Sequence, residues 1–231
     1  MSFSPRIPVI ATVLATAFAA ASALADNGNG GTAFDGSGGA SSGQVGTTQF
    51  HTTSHTLLGK GLSFAGTTSP NGAVAIQRLD KKAHNWVTVA TATADAQGNF
   101  TASWHTDHIG VFQLRAIPGE DRQVRASSAP PTVQVTVFKP ARATWYGPGF
   151  YGHKTACGKT MSRTLVGVAN RTLPCGAKVS FLYKGRTITV PVVDRGPYSG
   201  NFSWDLTYAA AQQLGFDYTD SLGAVSLHGR V

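Results

Sequence analysis

Long apolar runs, glutamate, cysteine and negative charge are all scarce in this chain, and each shortage excludes something. No apolar stretch reaches the roughly 20 residues that a membrane-crossing helix needs. The longest, Ile7 to Ala21, is rich in Ala and Thr, follows Arg6 and leads into Ser22-Ala23-Leu24-Ala25-Asp26. A positive start, a short apolar core and an Ala-Leu-Ala site describe a secretory signal peptide, residues 1–25, cut after Ala25. No cysteine lies near that site to take a lipid, so the mature protein is expected to be secreted, soluble and without a stable membrane anchor. Cys157 and Cys175 are the only cysteines. An even count in an exported chain favours one disulfide, and closing so short a loop would contribute about 3 kcal/mol by the chain-entropy argument. A zinc site would lack ligands even with His153 added, and neither cysteine lies in a protease-like setting. Glu120 is the one glutamate, so carboxylate chemistry in residues 142–231 must draw on Asp194, Asp205, Asp217 or Asp220.

Positive charge is what the chain does have. Its formal net charge is +8, and residues 142–231 carry ten Lys/Arg against four Asp, whereas residues 26–141 carry eight against seven acids. A basic surface suits nucleic acid or anionic polymers. No nucleic-acid motif accompanies it, and an exported protein meets cell-wall polymers first. Residues 26–53 are rich in Gly, Ser and Thr with little apolar periodicity, the composition of a flexible linker. Over residues 54–139 short alternating strands take over, at 73–77, 86–89, 100–104, 111–115 and 133–137, separated by turn signals such as Ser69-Pro70-Asn71-Gly72 and Pro118-Gly119. Six or seven strands at this spacing predict an antiparallel β-sandwich of immunoglobulin-like type, with Trp86 and Trp104 as core anchors. His51, His55, His84, His105 and His108 show no metal-ligand spacing, so no metal is expected. The boundary to the next domain, residues 140–231, is placed at Lys139-Pro140-Ala141-Arg142, because Pro140 cannot donate to a strand ladder.

In that last domain, 178–183 and 186–193 read as two strands joined by Lys184-Gly185, a hairpin. The second strand ends in Asp194, and Arg195-Gly196-Pro197 turns the chain. Asp205 follows, ahead of a helix-forming stretch, 207–214, with Thr207 as N-cap and Gly215 as stop. Residues 224–227 are expected to close the sheet. A carboxylate at a strand end and another at a helix entry would converge on one groove, as general acid–base chemistry requires. Spacing alone favours a plainer alternative, in which Asp194 opens a turn and Asp205 caps the helix.

Five blocks shift that balance. Ala-Thr-Trp-Tyr-Gly-Pro-Gly-Phe-Tyr-Gly (143–152), Lys-Thr-Ala-Cys-Gly (154–158), Asn-Arg-Thr-Leu-Pro-Cys-Gly (170–176), Val-Asp-Arg-Gly-Pro-Tyr (193–198) and Trp-Asp-Leu-Thr-Tyr-Ala-Ala-Ala-Gln-Gln-Leu-Gly-Phe (204–216) occur in that order. Together they resemble the rare lipoprotein A (RlpA) family of cell-wall lytic transglycosylases and, more distantly, expansins and barwin-like endoglucanases. The resemblance implies an all-β chain ending in a six-stranded double-psi β-barrel with a short helix. It implies a cofactor-free, monomeric protein associated with the cell wall and acting on peptidoglycan glycan strands.

By that resemblance Asp194 is the catalytic acid/base and Asp205 a supporting carboxylate that stabilises oxocarbenium charge. One carboxyl serves both proton steps, so no second nucleophile is required. Partial burial would raise its pKa, and a cation such as Arg195 beside it would oppose the rise. Trp145, Tyr146, Tyr151, Tyr198 and Trp204 lie close to the motif blocks and would each either stack on sugar rings or pack in the core or rim, with Asn170 and Arg195 also on the substrate side. Two positions depart from the family. Lys159 stands after Cys157-Gly158 where the transglycosylases carry Glu, and Asn170 stands where they carry His. An amide can hydrogen-bond but cannot shuttle a proton. The departures keep a second function open, an expansin-like protein that binds glycan and loosens the wall without cleaving it. Expansins place their sandwich after the barrel, whereas here it comes first. A third function, hydrolysis by the aspartate pair, would need about 6.5–9.5 Å between the carboxyls to admit water in the inverting form.

Overall fold

Period-two burial begins earlier in the chain than its composition suggests. The computed structural model describes residues 40–45, 48–119, 132–217 and 220–226. The expected signal peptide, residues 1–25, and the first part of the expected linker lie outside the described residues. The strands in chain order are β1 Ala40–Val45, β2 Thr48–Thr53, β3 His55–Leu57, β4 Gly61–Thr67, β5 Ala73–Asp80, β6 Asn85–Thr93, β7 Asn99–His105, β8 Gly110–Pro118 and β9 Val133–Tyr146. They are followed by β10 Val168–Ala169, β11 Lys178–Tyr183, β12 Arg186–Asp194, β13 Trp204–Thr207, helix α1 Tyr208–Leu214 and β14 Asp220–Ser226. All of them fall in one compact unit, Asp35–Val231.

One sheet has the order β1-β2-β4-β7 and faces β6-β5-β8 and the first half of β9, with β3 added alongside β9. Phe50, Leu62, Phe64, Phe100 and Trp104 from the first sheet meet Val74, Ile76, Leu114, Val133 and Val135 from the second in a single apolar core. Two sheets thus share one core, and two assignments change. Residues 48–53, which composition gives to the linker, form β2. Thr48, Phe50 and Thr52 point inward, and threonine is tolerated there because its hydroxyl finds a partner. Thr52 Oγ1 donates to the Ser63 carbonyl at 2.7 Å, and Thr48 shares a 2.8 Å hydrogen bond with Thr68. Trp86, expected in the core with Trp104, is instead half-buried, with the Arg115 guanidinium 4.2 Å above its ring.

The second half of β9 enters a closed ring of six strands, β9-β13-β10-β12-β11-β14 and back to β9. β13 runs parallel to β9, and β10 parallel to β12. Val168, Val179, Phe181, Val190, Val192, Trp204 and Leu206 fill the interior, and α1 covers it with Ala210, Ala211 and Leu214. Its ends are as expected: Thr207 Oγ1 accepts from the Ala210 amide, and Gly215 takes a left-handed conformation at φ 71°. Lys184 and Gly185, at φ 45° and 81°, turn the β11–β12 hairpin.

Lys139–Arg142, the expected boundary, is uninterrupted strand: β9 runs through Pro140, which lies opposite Gly223 of β14. Val133 and Val135 face the sandwich core, and further along the strand Ala141, Ala143 and Trp145 face the barrel core. Between them Phe138 packs from the opposite face against Leu57, Leu182 and Val225. The fit depends on Gly223, where a Cβ would lie 2.7 Å from that of Phe138 and 2.9 Å from Leu57. Burying Phe138 here should contribute as a core residue does. Phe138→Ala is therefore expected to cost about 3–5 kcal/mol. Urea unfolding followed by the fluorescence of Trp104, in one core, and Trp204, in the other, should show the two midpoints falling together.

Candidate active site

Asp194 is the last residue of β12 and Asp205 the second of β13, and the two flank the short strand β10. Ala169 of β10 pairs with Asp194 on one side and with Asp205 on the other. Their backbones therefore stand two strand spacings apart, about 10 Å, with a methyl group as the floor between them. Asp205 also pairs with Thr144 of β9, which puts the even-numbered side of β9, Thr144 and Tyr146, beside it. The plainer alternative of a helix cap is thereby removed for Asp205, because Thr207 holds that position.

The two carboxyls differ sharply in surroundings. Asp194 accepts three hydrogen bonds, from the Ala156 amide at 2.8 Å, the Arg195 amide at 2.8 Å and the Tyr146 hydroxyl at 3.1 Å. Asp205 has an oxygen, Oδ1, that is buried without a partner. Burial first, and the Asp194 charge second, push its pKa up to about 7. Tyr146 is driven upward by burial and then by Asp194, so its phenol stays protonated and remains a donor. Sequence reasoning gives the raised pKa to Asp194. The structure gives it to Asp205, because solvation and hydrogen bonding act on individual oxygens. Arg195 does not offset the rise. Its guanidinium donates to the Asn170 carbonyl at 3.2 Å and reaches Cys175 Sγ at 3.3 Å, and only its backbone amide serves a carboxylate.

The aromatic residues expected on the substrate side separate into two groups. Tyr198 stands 79% exposed on the turn after β12. Tyr146 lies between Asp194 and the ring of Phe150, and Tyr151 is half-buried with Arg163 5.8 Å above its ring. Trp204, by contrast, is 1% exposed and packs edge-on against Phe181 inside the barrel, so it cannot meet a ligand. Trp145 points to the interior side of β9, donates to the Asp217 carbonyl at 2.9 Å and stacks edge-on with Tyr208. It fastens the barrel wall. Asn170 is also occupied: its Oδ1 accepts from the amides of Thr172 and Leu173 at 3.1 and 2.9 Å, which fixes a turn. Three features escape sequence reasoning. Phe150, inside the quoted Gly-Pro-Gly-Phe-Tyr block, is 55% exposed. The Ala156 amide carries no side-chain signal at all. Arg171 donates to the carbonyls of Pro197 and Phe202 and so braces the turn that bears Tyr198. Cys157 and Cys175 form a disulfide.

A closed ring of six strands with two parallel pairings, a covering helix and paired aspartates across one strand defines the class: a double-psi β-barrel. Residues 139–227 match the family described as lytic transglycolase. A Synechocystis protein named "Probable endolytic peptidoglycan transglycosylase RlpA" is 33% identical over 120 residues, 51% of this chain and 37% of its own. Proteins named endolytic peptidoglycan transglycosylase RlpA from Campylobacter jejuni and Neisseria meningitidis serogroup A are 45% identical over 74 residues and 36% identical over 107. They cover 31% and 45% of this chain. The C-terminal part of this protein is thus a double-psi β-barrel similar in sequence to these RlpA proteins. The chain spans 27% to 45% of the length of these three relatives.

Stability should carry the signature of Asp205. Its folded pKa lies above its unfolded value of 3.8, so the folded protein holds an extra proton between about pH 4 and about pH 7. Stability contributed by this group therefore falls as pH rises through that window. Asp205→Asn removes a buried charge, and at pH 8 is expected to raise stability by about 1–3 kcal/mol. At pH 4 the gain should vanish, and denaturant titrations at the two pH values test the difference.

Proposed function

We propose that the protein is exported to the cell wall and cleaves peptidoglycan glycan strands by the lytic transglycosylase reaction. The observation that carries this reading is the division of labour between the two aspartates of an RlpA-like barrel. Asp205 holds a proton near neutral pH in a poorly solvated setting, and Asp194 is a carboxylate fixed by three donors. Their roles are then the reverse of those the resemblance alone implies. Asp205 donates its proton to the glycosidic oxygen, and the bond to the anomeric carbon breaks. The muramyl 6-hydroxyl oxygen bonds to that carbon, and its proton passes to the Asp205 carboxylate. Asp205 ends as it began, and the product has an anhydro end with no water consumed. Asp194 faces the positive charge that develops on the sugar ring, with the Tyr146 hydroxyl orienting it. Phe150 and Tyr198 supply exposed rings for sugar faces, and the excess of basic residues in the barrel draws the anionic wall polymer.

One observation favours a second reading, an expansin-like protein that binds glycan without cleaving it. The Asn170 amide, where the family has an ionisable His, is consumed in holding a turn and moves no proton. Mass spectrometry separates the two. Glycan strands, with and without stem peptides, are incubated with the mature protein, with Asp205→Asn and with Asp194→Asn. Anhydro-ended fragments are expected from the wild type, with Asp205→Asn slower by about 10²–10⁴-fold. The general acid must be protonated, so the rate should be highest at acidic pH and fall as pH rises through about 7. Reducing-ended fragments would indicate hydrolysis. Intact strands that nonetheless retain the protein would leave the binding reading standing and remove the enzyme.

A further inference from the structure

The long loop between β9 and β10 brings its tip to Asp194. Its two arms are joined by backbone hydrogen bonds from Gly152 to Met161, from Met161 to His153 and from Thr155 to Lys159, with Met161 buried at the base. Past those rungs the tip is tied to the barrel at two adjacent points. The Ala156 amide donates to Asp194 Oδ1 at 2.8 Å, and Cys157 is bonded to Cys175. Cys175 is itself anchored to the strand that carries Asp194. Next to it the Gly176 amide donates to the Val192 carbonyl at 2.7 Å, and the Val192 amide to the Ala177 carbonyl at 2.9 Å. The guanidinium of Arg195, the residue after Asp194, reaches Cys175 Sγ.

We propose that the Cys157–Cys175 disulfide is a positioning device: it seats the loop tip on β12 so that the Ala156 amide stays on Asp194, and opening it disables the groove while the barrel stays folded. The physical reason is the size of the target. A single amide must stay within hydrogen-bond reach of a carboxylate oxygen, and a loop tip with no other tie to β12 would sample positions well beyond that. The bond covers one residue's reach, from Cys157 to its neighbour Ala156. Losing the donor releases the Asp194 carboxylate from its fixed position beside Ala169, across which Asp205 lies. The positioning claim stands on geometry; its catalytic consequence rests on the transglycosylase reading above.

Amide hydrogen exchange and ¹H–¹⁵N spectra of the mature protein test it, before and after dithiothreitol, which supplies two electrons and two protons and leaves as its cyclic disulfide. The expected result is at least tenfold faster exchange and a changed shift at Ala156, with Thr189 and Val190 in β12 unaffected. The Cys157→Ser/Cys175→Ser double variant should reproduce this in the absence of reductant. In glycan release, kcat should fall at least tenfold with KM within twofold. Ala156→Pro, which deletes the donor and leaves the bond, should lose as much, and reduction should then add nothing further. An Ala156 amide that keeps its protection after reduction would overturn the proposal. So would collapse of the whole spectrum, since the disulfide would then be a general staple. If the oxidised protein releases no anhydro fragments, the enzymatic reading fails, and the exchange measurement still decides the positioning.

Discussion

One strand belongs to two cores. β9 donates Val133 and Val135 to the sandwich and Ala141, Ala143 and Trp145 to the barrel, and it pairs with β8 and β3 up to Phe138 and with β14 and β13 from Lys139 onward. Everything else is built on that continuity. Phe138, at the midpoint, is buried only because Gly223 lets β14 approach it and Leu57 covers it. The β13 pairing that closes the barrel is made by the same strand, and it is this pairing that sets Asp205 beside Thr144. A sandwich joined by a free linker would leave Phe138, Leu182 and Val225 facing water, so the junction is stabilised as a core is, by apolar burial.

The site depends on a difference of solvation more than on the presence of two acids. Two aspartates flank one alanine, yet one has three donors and the other a buried oxygen with none. Neither condition comes from a charged neighbour. The donors are two backbone amides and a phenol, and the nearby guanidinium is turned to a carbonyl and a sulfur. The contact between Asp107 and His108, at 2.9 Å, lies far from the groove in sequence. Burial and backbone geometry alone make the two carboxyls of this pair unlike each other.

The surroundings of the pair are mostly braces. Arg171 holds the turn bearing Tyr198, Asn170 fixes its own loop and Trp145 ties β9 to Asp217. Residues whose chemistry suggests ligand contact are here spent on backbone carbonyls and amides. Loop backbone must be satisfied by side chains when it has no ladder.

Much of this was readable in the chain itself. Strand alternation, the Lys184-Gly185 turn, the Thr207 and Gly215 caps and the two cysteines are local signals, and local backbone preference decides them. The aspartates at 194 and 205 were legible as a pair for the same reason: a strand end and a helix entry are sequence features. What the sequence does not hold is which atoms share an environment. Trp204 and Tyr198 are both aromatic residues in motif blocks, yet one is sealed in the barrel and the other stands in solvent. Thr48 and Thr52 look like linker and are core, because partners at Thr68 and Ser63 exist only after pairing. The Ala156 amide has no side chain to betray it. The proton on Asp205 depends on desolvation and on a charge across β10, both of which arise only when strands distant in sequence are brought side by side.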